Sequence, residues 1–303
     1  MHTRAKNKPT VQILRPPIIS IYMHTQHPTF KLPPNMDGKI WQYMELAEFV
    51  SMLHRKALFF VKATKLRDPY EGIMPQFNNL KRSSGSGEEN QKSQSQEESI
   101  RYIQKLPQIT IQQFQLYREL VLINPWHYNE YESAAMWNLY SHENAGIAIQ
   151  STTRKLSKCF NDNKDDTVWI GKVQYMDFSK DGTNEWDNLV QAFVTKRKSF
   201  EYENEIRAVT CLPADDNLCT ESLLETANRE DFLFSSSPKA HVINPKELTD
   251  KGKYVSADLQ TLIERVYIAP YAEPWFEEVL ESLLSKYELN STTVTKSDLY
   301  TIS

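Results

Sequence analysis

The chain has 303 residues, enough to bury the core of one large domain or two modest ones. An apolar fraction of 40% and an aromatic fraction of 11% fit a folded globular protein. A net charge of −4 supplies no global basic field, which argues against nucleic acid and anionic membranes as partners, and no apolar run approaches the roughly 20 residues that span a bilayer.

Residues 1–36 carry Arg4, Lys6, Lys8, Arg15 and Lys31 and no acid, with prolines at 9, 16, 17, 28, 33 and 34. The prolines oppose a helix, and Ile18 to Met23 is too short for a signal core. This predicts a disordered, basic, Pro-rich tail before a single domain over 37–303. Cys159, Cys211 and Cys219 are odd in number and have no zinc-site spacing, so reduced thiols and a cytoplasmic location are expected.

Within the domain, Ile40 to Met44 reads as a strand, and Leu46, Phe49, Val50 and Leu53 recur at helical spacing over 45–55. Leu58 to Val61 suits a buried strand, and Asp68-Pro69-Tyr70-Glu71-Gly72 a turn. Residues 81–99 are Ser-, Gln- and Glu-rich without a large apolar side chain, which predicts a flexible insert. Helical character returns over 100–120, and Val121 to Ile123 reads as a strand.

Residues 126–150 hold two tryptophans, three tyrosines and three acids together with His127. Such a density marks either a gripping surface or a core edge that needs several hydrogen bonds. Ala134 to Tyr140 should be helical and Gly146 to Gln150 a strand. Trp169 to Phe178 reads as a strand, Leu189 to Phe200 as a helix, and Ile206 to Leu212 as a strand beginning near Glu203. Leu262 to Ala269 is expected as a strand, Trp275 to Leu284 as an amphipathic helix, and Thr292 to Thr295 as a last short strand. Irregular alternation of helices and strands gives an α+β class, with a mixed or antiparallel sheet flanked by helices.

Candidate chemistry centres on three residues. If a strand opens at Glu203, then Glu203, Glu205 and Arg207 share one face. If the preceding helix continues instead, Glu203 and Arg207 are a surface i,i+4 pair worth about 0.2–0.5 kcal/mol. His127 could serve as a general base oriented by Glu130 or Glu132, or as a hydrogen-bonded structural residue. Glu132 could instead sit at the N-terminus of the Ala134 helix. Trp137 and Tyr140, three apart, fit a core role; Lys196-Arg197-Lys198 could meet phosphates or form a solvated helix face, and Asp68 and Glu71 could cap the turn or serve a site. Phosphate-loop, dinucleotide and histidine-metal motifs are absent from the sequence, so no metal is expected.

Four segments resemble the bacterial family known as domain of unknown function 2971. They are Trp41-Gln42-Tyr43-Met44 through Gly72; Trp126 through Ile149; Lys196-Arg197-Lys198-Ser199-Phe200 with Glu203 through Ala208; and Tyr254 through Leu259 with Ala269-Pro270, Trp275 and Ser297. The chain departs from that pattern at Gln42 and Gln150, where arginine is common, and at Pro125, where cysteine is common. A further similarity, to ADP-ribosyltransferases, implies NAD as a substrate. Glu205 would then stabilise an oxocarbenium-like centre, and Glu203 would place the acceptor. Gln42, Tyr43, Trp126, Glu132, Trp137, Tyr140 and Arg207 would bind a small nucleotide. The alternatives are a His127/Glu132 hydrolase and a non-catalytic interaction module in phage defence or stress response.

Overall fold

The computed structural model describes residues 28–73, 117–140, 145–179, 189–212 and 248–301. The expected insert at 81–99, residues 1–27 of the expected tail and most of the helical stretch at 100–120 lie outside these residues. Residues 28–36, read as tail, are part of the fold. Phe30 is buried and stacks on Trp169, and Lys172 N–H donates to the Lys31 carbonyl at 2.8 Å.

Strand β1 (Lys39–Glu45) leads into helix α1 (Leu46–Arg55) through a capping box. The Glu45 side chain accepts from the Glu48 N–H, and the Glu48 carboxylate accepts from the Glu45 N–H. Then come β2 (Ala57–Lys62), β3 (Val121–Tyr128), helix α2 (Ala134–Tyr140) and β4 (Gly146–Thr152). Helix α3 (Thr153–Lys158), β5 (Trp169–Lys172) and β6 (Gln174–Met176) follow. After β7 (Thr195–Arg197) and β8 (Glu205–Cys211), the chain closes with β9 (Gly252–Ser256), α4 (Leu259–Leu262), β10 (Arg265–Ile268), α5 (Pro274–Lys286) and β11 (Thr293–Lys296).

The class is α+β, and the described residues form a nine-stranded mixed sheet and a separate parallel pair, β6–β7. The sheet forks at β3. One edge of β3 carries β8, which in turn carries β5. The other edge is divided: β2 pairs with Leu122 and Ile123, whereas β1 pairs with His127 and Tyr128. The β1 wing continues through β4, β10 and β11, and the β2 wing ends at β9.

The sequence explains the fork. Tyr128 N–H donates to Asn204 and Asn129 N–H donates to Lys39, so even-numbered main-chain groups of β3 face β8 and odd-numbered ones face the divided edge. Pro125 therefore places its donor-less nitrogen in the gap between the two wings, where a ladder N–H would find no strand. Asn124 ties β3 to the β2 wing beside this gap. Its amide donates to the Phe59 carbonyl, and its side-chain oxygen accepts from Trp126 Nε1 at 2.6 Å.

Alternation along the strands gives the sheet two buried faces. Ile40, Leu122, Trp126, Ile149, Ile206 and Val266 join the main core under α1, α3 and α5. The opposite face carries two smaller apolar groups, Phe30 with Val121, Ile123 and Phe193, and Trp41 with Tyr43, Met136, Trp137 and Ala148. The polar cluster described next lies on this second face.

Several expectations need correction. Leu189–Phe193 and Lys198–Glu203 are two 3-10 turns around the short β7, not one α-helix. Residues 169–176 form two strands broken at Val173, and 259–262 are helical ahead of β10. Trp275 and Val279 lie outside the buried stripe of α5, which Phe276, Leu280 and Leu284 form. Among the described residues no helix is long and apolar enough to cross a membrane.

Candidate functional site

Glu203 ends the second 3-10 turn, and β8 opens two residues later at Glu205. Between them Asn204 adopts a left-handed conformation (φ 38°), held by its amide on the Tyr128 carbonyl. The two glutamates thus belong to different elements. They converge because this turn swings Glu203 back over β8, not because a strand repeats every two residues. The i,i+4 helix reading of Glu203 and Arg207 is also excluded, since Arg207 lies within β8.

Their meeting point is Lys196 of β7, which contacts Glu203 Oε2 at 2.5 Å and Glu205 Oε1 at 2.6 Å. The other Glu205 oxygen accepts from Arg207 Nε at 2.7 Å. Arg207 continues the network with a two-pronged bond to Glu71, both contacts at 2.8 Å, and a bond to the Phe193 carbonyl. Arg207 and Glu71 are almost fully buried, at 1% and 2% exposure. Nearby, Arg197 binds Asp68 with two nitrogens while lying over the Tyr70 ring at 4.3 Å. The Lys196-Arg197 pair is therefore internal ionic structure, not the solvated helix face expected.

His127 stands opposite Glu205 in the β3–β8 register. Its Nδ1 lies 2.6 Å from the Glu203 carbonyl. A carbonyl only accepts, so Nδ1 carries the proton and Nε2 bears a lone pair. That Nε2 is buried without a hydrogen-bond partner. Burial pushes the imidazole below its ordinary pKa, against the opposing pull of the Glu203 carbonyl and the Glu205 charge, which keeps the ring neutral.

The two carboxyls are driven apart. Burial, and then the bond and charge of Glu205, raise Glu203 to about 7. Glu205 is held well below the ordinary carboxylate range: burial opposes its charge, but Arg207, the Glu203 hydrogen bond and Lys196 outweigh it. Burial likewise opposes the charge of Lys196, but Glu205 and its neighbours hold it protonated. At neutral pH the cluster contains an ionised Glu205, a Glu203 at mid-titration and a neutral imidazole.

The other predicted residues divide by face. Tyr43 accepts from the Ser133 N–H at 2.8 Å and meets the Trp137 ring edge-on. Trp137 donates to Glu132 at 2.8 Å. Trp41, Tyr43 and Trp137 form an aromatic wall that adjoins His127 through Trp41, its register partner on β1, and Glu132 orients Trp137 rather than His127. Tyr140, at the end of the same helix, is raised in pKa by burial and then by the charges of Glu203 and Glu205, and its ring lies under the Arg67 guanidinium at 5.0 Å. Trp126 and Gln42 are separated from the cluster. Alternation turns Trp126 into the main core, and Gln42 shares its face with Ile40 and Met44.

Glu71 and Lys196 are favoured by the sequence only as a turn acid and as part of a basic run, not as members of the glutamate cluster. The sequence signal for each was local, a turn and a basic run, whereas their roles depend on partners far along the chain, with Arg207 136 positions from Glu71. Among the described residues no group of three or more His, Cys, Asp or Glu side chains is placed to hold a metal ion.

The profile of the family described as Protein of unknown function (DUF2971) matches residues 136–208 and supports the resemblance read from the sequence. The matched stretch includes Trp137, Tyr140, Lys196, Glu203, Glu205 and Arg207, but not His127 or Glu71. No curated protein and no solved structure matches the chain significantly.

Proposed function

We propose that the chain is an enzyme whose reacting groups are the Glu203 carboxyl and His127 Nε2, acting on a nucleotide by glycosyl transfer of the ADP-ribosyl type. The observation that carries this reading is that two carboxyls meet on Lys196 in unequal surroundings. Glu205 has both oxygens bound by cations, Glu203 is bound by Lys196 alone among cations, and the imidazole held by the Glu203 carbonyl keeps a buried Nε2 without a partner. Such divergence is how paired carboxyls take separate roles in acid–base chemistry.

The roles differ from those implied by the ADP-ribosyltransferase likeness. Both Glu205 oxygens are occupied by cations, so Glu205 anchors Lys196 and Arg207 and raises Glu203. Glu203, tethered by Lys196 alone among cations, is the carboxylate that faces developing positive charge at the ribose. With NAD as substrate, the acceptor's lone pair forms the new bond to the ribose anomeric carbon as the bond to nicotinamide breaks. That bond's electron pair leaves with the nicotinamide nitrogen and neutralises it. The acceptor's proton passes to His127 Nε2 or to ionised Glu203.

The test is incubation with NAD labelled in the nicotinamide ring and, separately, in the adenylate, with and without cell lysate. Release of nicotinamide by wild type, lost in Glu203→Gln and in His127→Phe, supports the reading. No release and no transfer by wild type sinks it.

A further inference from the structure

The cations around Glu203 are almost all committed. Arg207 is taken by Glu71 and Glu205, Arg197 by Asp68, and Lys196 by Glu203 and Glu205. Arg118 donates to the Pro69 and Glu71 carbonyls. Arg67 differs. It is exposed, lies over the Tyr140 ring at 5.0 Å and donates one bond, Nη2 to the Leu139 carbonyl. No carboxylate among the described residues pairs with it.

The contrast is geometric. Asp68, Glu71, Glu203 and Glu205 are all bound to Arg197, Arg207 or Lys196, and none of them reaches Arg67. A guanidinium fixed on an aromatic face with free N–H donors is suited to a phosphate oxygen. Beside it Tyr202 is 52% exposed and stacks on Phe200 at 6.4 Å. Tyr202 precedes Glu203 in the chain; burial and then the Glu203 charge push its phenol up, and the Arg67 charge opposes them. An exposed ring next to an unpaired guanidinium offers a stacking plane and an anion anchor together.

We infer that Arg67, braced on Tyr140, is the phosphate anchor of a nucleotide whose base stacks on Tyr202, with its sugar directed toward Glu203. This deepens the glycosyl-transfer reading and rests on it for the direction of the sugar; the phosphate anchor itself can be read without turnover.

The experiment is calorimetric titration of wild type, Arg67→Gln, Tyr202→Ala and Arg154→Gln with AMP and with adenosine. Arg67→Gln keeps a polar amide and removes the charge together with the cation–π contact on Tyr140. Wild type should bind AMP more tightly than adenosine, and Arg67→Gln should weaken AMP about tenfold while leaving adenosine unchanged. Tyr202→Ala should weaken both ligands about fivefold or more. Arg154, paired with Asp37, is the control and should change neither. Equal binding of AMP and adenosine, no AMP binding, unchanged AMP affinity in Arg67→Gln, or an equal loss in Arg154→Gln overturns the anchor. If the anchor holds while wild type releases no nicotinamide from NAD, the subsite stands and the transfer reading falls.

Discussion

His127 and Glu205 face each other across β3 and β8 in a pair whose main chains bond elsewhere: Glu205 N–H donates to Tyr175 Oη, and its carbonyl accepts from Val173. In an antiparallel ladder this is the close-spaced kind of pair, which brings the two side chains together. The imidazole and the anchored carboxylate are therefore set by strand register, and any shift of register would part them.

Replacing His127 with Phe should separate chemistry from folding. The ring is retained, and one hydrogen bond to a carbonyl is lost, about 1 kcal/mol. If His127 transfers a proton, turnover should drop by about 10²- to 10⁴-fold with little change in the denaturation midpoint. A large stability loss with unchanged turnover per folded molecule would assign the residue to structure.

Arg207 should be the most costly single charge to remove. Arg207→Met leaves Glu71 and Glu205 buried without their main counter-charge, which should cost about 3–5 kcal/mol in urea denaturation. A loss below 1 kcal/mol would show that the network contributes little.

The two glutamates should tilt stability with pH in opposite senses. Glu205 is depressed, so its contribution is present above the ordinary carboxylate value of 4.5 and is lost as pH falls through its lowered folded pKa. Glu203 is raised to about 7, so folding takes up a proton between 4.5 and 7, and its contribution, present below 4.5, is lost as pH rises through 7. Glu203→Gln should gain on wild type between pH 5 and pH 8 in chemical denaturation. A constant difference between the two would contradict the assignment.

Gly252 should tolerate no side chain. A Cβ there would run into the Phe60 carbonyl on the paired strand β2, main chain that cannot swing aside. Gly252→Ala should cost about 1–3 kcal/mol, read as a lower melting temperature, with nucleotide binding retained by the folded fraction.

Much of the fold could be read from the chain because its strongest patterns are local. The Leu46–Arg55 helix, with its capping glutamates, and the strands at 39–45 and 146–152 follow from periodicity and helix-end chemistry. The segment 189–200 was misread because its apolar spacing fits a helix, whereas β7 is fixed by its pairing with β6 and by the Lys196 and Arg197 contacts. The glutamates were legible as a pair, but for the wrong reason: the left-handed Asn204 brings them together, and nothing in the spacing announces it. Glu71 was hidden because a buried acid in a Pro-Gly turn looks like any turn acid until its arginine is found.

The divided edge of β3 separates failure as well as strands. No ladder among the described residues joins β1 to β2, so a loss of register in the β2–β9 wing does not unzip β1, β4 and β10. The aromatic wall of Trp41 and Tyr43 can keep its amides protected from exchange while its neighbour breathes. A substitution that loosens one wing should appear as a patchwork of hydrogen exchange with a border at residues 124–126.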